Sequence, residues 1–219
     1  MMARVFAMLA SLALAAMASA AAHAAPQIYS YRVIHSLYGE IGTYTNVVEQ
    51  NGDDTRVDSE LHIAVKILGI VVFRQEARRS EYWRNQRLVS FDGVTVTNGD
   101  KIAIRGEARD GGFAVTTPSG THLAPADVHP SNPWCAMILN ADVMMSTRTG
   151  KVEHVRVTGG EKESVAFNGS TLRLHQYEIV SDRHQFVWLD DSGVTVAFST
   201  EENGSRVQFV LAENRSASR

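Results

Sequence analysis

Few side chains in this sequence stand where their types and spacing could do chemistry. Cys135 is the single cysteine, and His122 and His129 precede it as possible bases for a nucleophilic thiolate. Its immediate neighbours argue against that role. Trp134 on one side and Ala136-Met137-Ile138-Leu139 on the other describe a small buried hydrophobe. Seven histidines lie beyond residue 24: His35, His62, His122, His129, His154, His175 and His184. No two of them have the three- or four-residue spacing of a structural zinc site with a carboxylate placed to help. Only His122, His129 and Asp127 could converge, within a proline-containing stretch. The adjacent acids of Trp188-Leu189-Asp190-Asp191-Ser192-Gly193 could work as a pair across a sugar, but Asp, Ser and Gly in that order serve a hairpin turn. No Gly-x-Ser-x-Gly and no phosphate-cradling glycine loop is present.

The carboxylate with the strongest claim is Glu81. In residues 74–83, Gln75, Ala77, Arg79, Glu81 and Trp83 share one parity, while Arg74, Glu76, Arg78, Ser80 and Tyr82 share the other. On a strand this puts charge on both faces. The simpler reading is a long hairpin projecting past the core with cross-strand ion pairs, and the sharper one is a polar site in a cleft. Trp83, on the same face as Glu81, would limit water there.

The elements that must position these residues are strands. In residues 56–67, Val57, Leu61, Ile63, Val65 and Ile67 alternate with Arg56, Asp58, Glu60, His62 and Lys66, the period of a half-buried strand. Leu68-Gly69 then joins this run tightly to the next. Turn signals recur at Asn51-Gly52-Asp53, Asn98-Gly99-Asp100, Asp110-Gly111-Gly112, Thr149-Gly150, Gly159-Gly160, Asn168-Gly169 and Asn203-Gly204. They predict an all-β fold: a single antiparallel meander of about a dozen strands curled into a barrel or half-barrel. Residues 119–148, with Pro125, Pro130 and Pro133, interrupt it as one short helical or irregular crossing segment. Asn132 would cap the helix and Pro133 would open it. Either side chains of this segment, including Trp134, Ile138, Leu139 and Met144, fill the concave face, or a ligand does.

The first two dozen residues differ in character. Arg4 is followed by an apolar core and by small residues ending in Ala22-His23-Ala24. That order predicts a cleavable secretory signal over residues 1–24. One domain over residues 25–212 and a disordered tail over 213–219 are expected. No cysteine lies near the signal to carry a lipid, and one cysteine makes no internal disulfide. No later apolar stretch is long enough to span a membrane as a helix. Without Arg4, 20 basic side chains face 24 acidic ones, a net of −4 with no basic block. That balance disfavours nucleic acid as a partner.

Tyr38-Gly39-Glu40-Ile41-Gly42-Thr43 and Val65-Lys66-Ile67-Leu68-Gly69-Ile70-Val71-Val72-Phe73 open a series of segments spread along the chain. It continues through Glu81-Tyr82-Trp83, Arg87-Leu88-Val89-Ser90, Thr97-Asn98-Gly99, Pro130-Ser131-Asn132-Pro133-Trp134, Thr149-Gly150-Lys151-Val152 and Trp188-Leu189-Asp190-Asp191-Ser192-Gly193-Val194. In this order the series resembles a secreted proteobacterial family, domain-of-unknown-function family 6134. Two departures are visible. The family commonly has Tyr-Trp-Asn where this chain has Pro133-Trp134-Cys135, and Trp-Tyr-Asp where it has Trp188-Leu189-Asp190. The resemblance implies an exported β-protein and supplies no catalytic residues.

The reading carried forward is a non-enzymatic periplasmic or secreted binder or carrier of a lipid or other apolar envelope component. Glu81, Trp83, Trp134, Cys135, Ile138 and Trp188 are its candidate binding residues. No catalytic residue, metal or cofactor is assigned. The alternatives are an envelope glycan- or lipid-modifying hydrolase, and an assembly partner that recruits another chain at a sheet edge.

Overall fold

Alternation along each strand sorts side chains between two faces of one curled sheet. The computed structural model describes residues 25–217 except 168 and 203. The predicted export signal lies outside the described residues. The strands are β1 (Gln27–His35), β2 (Gly39–Asn51), β3 (Asp54–Ile67), β4 (Ile70–Arg84), β5 (Arg87–Thr97), β6 (Asp100–Arg109), β7 (Gly112–Thr117), β8 (Gly120–Ala124), β9 (His129–Pro130), β10 (Val143–Met145), β11 (Val152–His154), β12 (Arg156–Phe167), β13 (Ser170–Val180), β14 (His184–Leu189), β15 (Thr195–Glu202) and β16 (Ser205–Ser216). Thirteen of them form one sheet in the order β12-β13-β14-β15-β16-β1-β2-β3-β4-β5-β6-β7-β8. Every neighbouring pair in it is antiparallel. The sheet does not close, because β8 and β12 both end the order.

The meander is therefore one sheet, but its two halves are joined where the chain is most distant from itself. β1 pairs with β16 from Gln27↔Ser216 to His35↔Val207. This corrects the tail boundary expected at 213: residues 213–216 complete the β1 ladder and are ordered by it.

The interrupting segment is the filler of the curl. Of its thirty residues, Gly120–Ala124 are a regular edge strand, β8. Beyond it, β9, β10 and β11 make a separate three-stranded sheet. Alternate residues of β10 face the two arms of the large sheet. Met145 packs with Val57, Trp83, Leu88, Phe91, Ile104, Phe113 and Val115. Met144 packs with Ile179, Val187 and Leu189. The expected helix is a single 3₁₀ turn, Ala136–Asn140, whose N-cap is Cys135. Asn132 caps nothing, because its side chain is drawn into a buried network described below.

Two hairpins leave the sheet. In the first, β3 and β4 pair to Ile67↔Ile70, whereas β2 stops against β3 at Ile63 and β5 stops against β4 at Gln75. Residues 64–74 thus stand out as a two-stranded ribbon whose tip carries exposed Ile67, Leu68, Ile70, Val71 and Val72. In the second, the β12–β13 ladder shifts register after Gly159, and residues 163–174 run past the end of β14. This arm brings Phe167 onto Trp188, ring centroids 5.6 Å apart, on the face opposite Val187 and Leu189.

Candidate functional site

The inner face of β4 changes character along its length. Gln75, Ala77, Arg79, Glu81 and Trp83 all point inward, as their shared parity requires. Glu81 is completely buried and Trp83 nearly so. On the outer face Arg78 pairs with Glu60 at 2.9 Å, Arg84 with Asp54 at 2.9 Å and Arg74 with Glu76 at 3.8 Å. Ion pairs account for these outer charges, cross-strand for Arg78 and Arg84 and within β4 for Arg74. The hairpin's projecting part, however, is the apolar tip, and the polar inner residues lie inside the curl. Of the two readings of this strand, the polar interior site is the one that describes the inner face.

Glu81 is held by three donors. The indole Nε1 groups of Trp83 and Trp134 donate to Oε2 at 3.0 and 3.2 Å, and Asn132 Nδ2 donates to Oε1 at 2.9 Å. Asn132 is the hub. Its Oδ1 accepts from the Tyr44 hydroxyl at 2.6 Å, and its Nδ2 also approaches Ser59 Oγ at 3.1 Å. Ser59 in turn donates to Asn46 Oδ1 at 2.7 Å. β9 fixes this hub by its parallel pairing with β10, and Ser131 N donates to the Met145 carbonyl at 2.8 Å. Burial pushes the Glu81 carboxyl up to about 7, against the pull of Asn132, Trp83 and Trp134, which favour its anion. A buried carboxylate is tolerable only when so satisfied.

Beyond this network, toward the ribbon, lies a cavity of about 960 Å³. Tyr44, Arg79, Ser131, Pro133 and Thr147 border it on the network side. Its walls include Leu61, Ile63, Val65, Phe73, Phe198 and Phe209, and its rim includes Leu37, Tyr38 and Val72, which are exposed. Tyr44 and Phe198 meet edge to face at 5.9 Å, and Phe198 stacks on Phe209 at 4.3 Å. Arg79 stands between network and cavity. Its Nε donates to the Thr147 carbonyl at 3.3 Å.

The candidate residues divide accordingly. Glu81, Trp83 and Trp134 meet in one network, with Cys135 next to it in sequence. Burial pushes the Cys135 thiol up to about 12, so it carries no thiolate at neutral pH. Ile138 packs instead against Ile179, Val187 and Leu189 of the other arm, alongside Ala141 and Met144 of its own segment. Trp188 is on the outer side of the sheet, where its Nε1 donates to Gln176 Oε1 at 2.7 Å, and it does not join the others. Asp190 serves its turn, accepting from Ser192 N at 2.9 Å and Val194 N at 3.0 Å. His129 lies against Trp83, centroids 5.2 Å apart, and burial lowers its pKa. His122 is exposed on β8. No group of three or more metal-ligating side chains gathers among the described residues.

Sequence reasoning missed Tyr44, Asn46, Ser59 and Asn132, and left Arg79 without a role. Part of the signal was available: Tyr44, Asn46 and Val48 share a parity on β2, so a polar residue sits on a core face. Asn132 gave none, since its partners are 51 to 88 residues away.

The arrangement defines a class first: an open, barrel-like antiparallel sheet around an internal cavity. A crystal structure of a beta-barrel-like protein of domain-of-unknown-function family DUF1849, from Brucella abortus, has a similar fold, with a TM-score of 0.66. The likeness spans 90% of this chain and 99% of that one at 9% identity. The family model for the domain of unknown function DUF6134 matches residues 31–212, and the chain belongs to that family. No match is found among curated proteins.

Proposed function

We propose that this is an exported periplasmic or secreted protein that binds and carries a lipid or other apolar envelope molecule. The observation that carries the reading is the cavity of about 960 Å³ with mostly apolar walls left beside the crossing segment. That volume is at the upper end of the roughly 300–1,000 Å³ of small-molecule sites. The segment fills one part of the curl with Val128, Val143 and Met145 and leaves the other part empty of side chains.

The ribbon beside the rim supports uptake from an apolar source. Leu68 is 97% exposed and has φ 51°, a left-handed conformation that costs a leucine about 1–2 kcal/mol. Asn or Gly would suit this turn better, as at Asn98-Gly99 in the next hairpin. A residue that offends both solvent and backbone is retained for a contact it makes elsewhere, and a lipid surface provides one.

The hydrolase alternative has less support. The carboxylates bordering the cavity, Glu153 and Asp182, both pair with Lys151, while Glu81 lies behind Asn132. The edge-pairing alternative is opposed by a five-residue β8 and by a β12 carrying Arg156, Glu161, Lys162 and Glu163 with a Gly159-Gly160 irregularity.

Native mass spectrometry of the protein purified from a bacterial envelope tests the proposal. A co-purified lipid is expected. Protein that arrives empty, and that binds no fluorescent alkyl probe, would overturn it.

A further inference from the structure

We propose that the ribbon of residues 64–74 and the neighbouring Leu37–Tyr38 turn form a docking surface for an anionic lipid bilayer, which the tip enters to headgroup depth. The inference rests on the carrier reading above and names the surface from which the cavity is loaded.

The ribbon lies beyond the last rungs that β2 and β5 give it, at Ile63 and Gln75, so both its faces meet solvent. A ribbon built for water keeps one face polar. This one does not. Ile67 pairs with Ile70 across one face, and Val71 stands opposite Lys66 on the other. Ile67, Ile70 and Val71 are exposed, together with Leu68 at the turn. The β1–β2 turn adds exposed Leu37 and half-exposed Tyr38 at the same end of the sheet, since β2 begins beside the base of the ribbon and pairs Gly42 with Ile63. Leu37, Tyr38 and Val72 also border the cavity, so a surface that covers tip and turn meets the cavity rim.

Shape and charge select the occupant. The apolar side chains surround a tip rather than tile a flat face. A bilayer interface encloses such a tip, whereas a protein partner reaches one side of it. Residues 64–74 contain Lys66 and Arg74 and no carboxylate. Arg74 faces Glu76 at 3.8 Å, and Lys66 is exposed. Among the acids of the flanking strands, Glu40 pairs with Arg32 and Glu201 with Arg206, both at 3.6 Å, and Asp100 is followed by Lys101. A second copy docked tip to tip would bring Lys66 toward its own kind, while anionic lipid heads meet it with unlike charge. Lys66 is two residues from Leu68, about 7 Å along a strand. A tip buried ~5–10 Å into the boundary of headgroups and acyl chains therefore keeps the ammonium among the phosphates. Beyond Ile63 and Gln75 the outer edges of the ribbon have no strand partner among the described residues, which forbids passage into the hydrocarbon core.

The test is sedimentation with sucrose-loaded vesicles of protein purified from the bacterial envelope, read beside binding of N-phenyl-1-naphthylamine, an uncharged fluorescent apolar probe of the cavity. The vesicles are phosphatidylcholine alone, or with about 30 mol% phosphatidylglycerol. Wild type should bind the anionic vesicles about fivefold more tightly, and Lys66→Gln should lose that preference alone. Leu68→Asn, which suits the turn, should weaken binding to both kinds by about tenfold. Leu123→Asn, at an exposed leucine of the edge strand β8, should leave binding within about twofold of wild type. No sedimentation, or equal losses at Leu68 and Leu123, overturns the docking surface. A wild-type dimer in solution that Leu68→Asn converts to monomer overturns it too, by giving the tip to a second copy. Equal affinity of wild type for both kinds of vesicle overturns the choice of an anionic bilayer. In each of these cases the carrier reading stands if the probe still binds in solution. Sedimentation without probe binding keeps the docking surface and overturns the carrier reading.

Discussion

Glu81 holds its carboxyl between opposing forces. Burial favours the neutral acid, while two indoles and one amide favour the anion, and the balance near 7 makes stability depend on pH. Between its ordinary value of 4.5 and about 7, the unfolded chain gives up this proton and the folded chain keeps it. The stabilisation is therefore complete below about 4.5 and is lost as pH rises through 7. Exposed, ion-paired carboxylates such as Asp54, Glu60 and Asp191 are shifted downward and act in the opposite sense, so the effect must be taken against a variant. Denaturant unfolding at pH 5 to 8 should show wild type gaining on Glu81→Gln as pH falls, by up to about 3 kcal/mol. Trp134→Phe removes a donor to the anion and should move the midpoint of that gain upward. Parallel pH curves for wild type and Glu81→Gln would contradict this. Asn132→Ala removes the donor to Glu81 Oε1 and the acceptor of the Tyr44 hydroxyl, leaving only the two indoles on Oε2, and should cost about 2–4 kcal/mol. A double-mutant cycle with Tyr44→Phe should return a coupling of about 0.5–3 kcal/mol; additive losses would show that the two side chains act independently. Parity in the sequence was sufficient to place Glu81 and Trp83 on one inner face. It could not identify Asn132, because local rules made an Asn before a Pro into a helix cap, and only long-range partners outcompete that role.

At the scale of elements, period-2 patterning located β3 and β4 because each has one dry and one wet face, and Val57, Leu61, Ile63 and Val65 are all buried as the pattern requires. Ile67 shares their parity yet is 45% exposed, since the ribbon has outrun the strands that would cover it. Patterning reports which face a residue takes and says nothing of where neighbouring strands stop. The same limit explains Trp188, whose outer-side burial depends on the β12–β13 arm folding onto it. The ribbon's turn yields a direct prediction. Leu68→Asn relieves a leucine held at φ 51° and should raise stability by about 1 kcal/mol. The same variant should transfer an alkyl probe out of lipid vesicles more slowly than wild type does. Stability gained with no loss of transfer rate would remove the ribbon from the carrier account.

For the whole molecule, the consequential pairing is β1 with β16, which makes one sheet of the segments before and after the crossing element. Turn residues announce each hairpin, but a ladder between the two ends of a chain leaves no local mark, and so the last residues read as a loose tail. Removing residues 213–219 deletes the partners of Gln27, Ile28, Tyr29 and Ser30 and should cost about 1–2 kcal/mol, seen as a lowered melting temperature; an unchanged melting curve would mean that this part of the ladder contributes nothing. The central claim is that the space between the ribbon and the buried network is a ligand site. Fluorescence titration with N-phenyl-1-naphthylamine, comparing wild type with an Ile63→Trp variant that fills the cavity wall, tests it most directly. One saturable site per chain in the wild type, weakened at least tenfold in an Ile63→Trp variant that still melts cooperatively, is the predicted result. No saturable binding, or equal binding by both proteins, would contradict it.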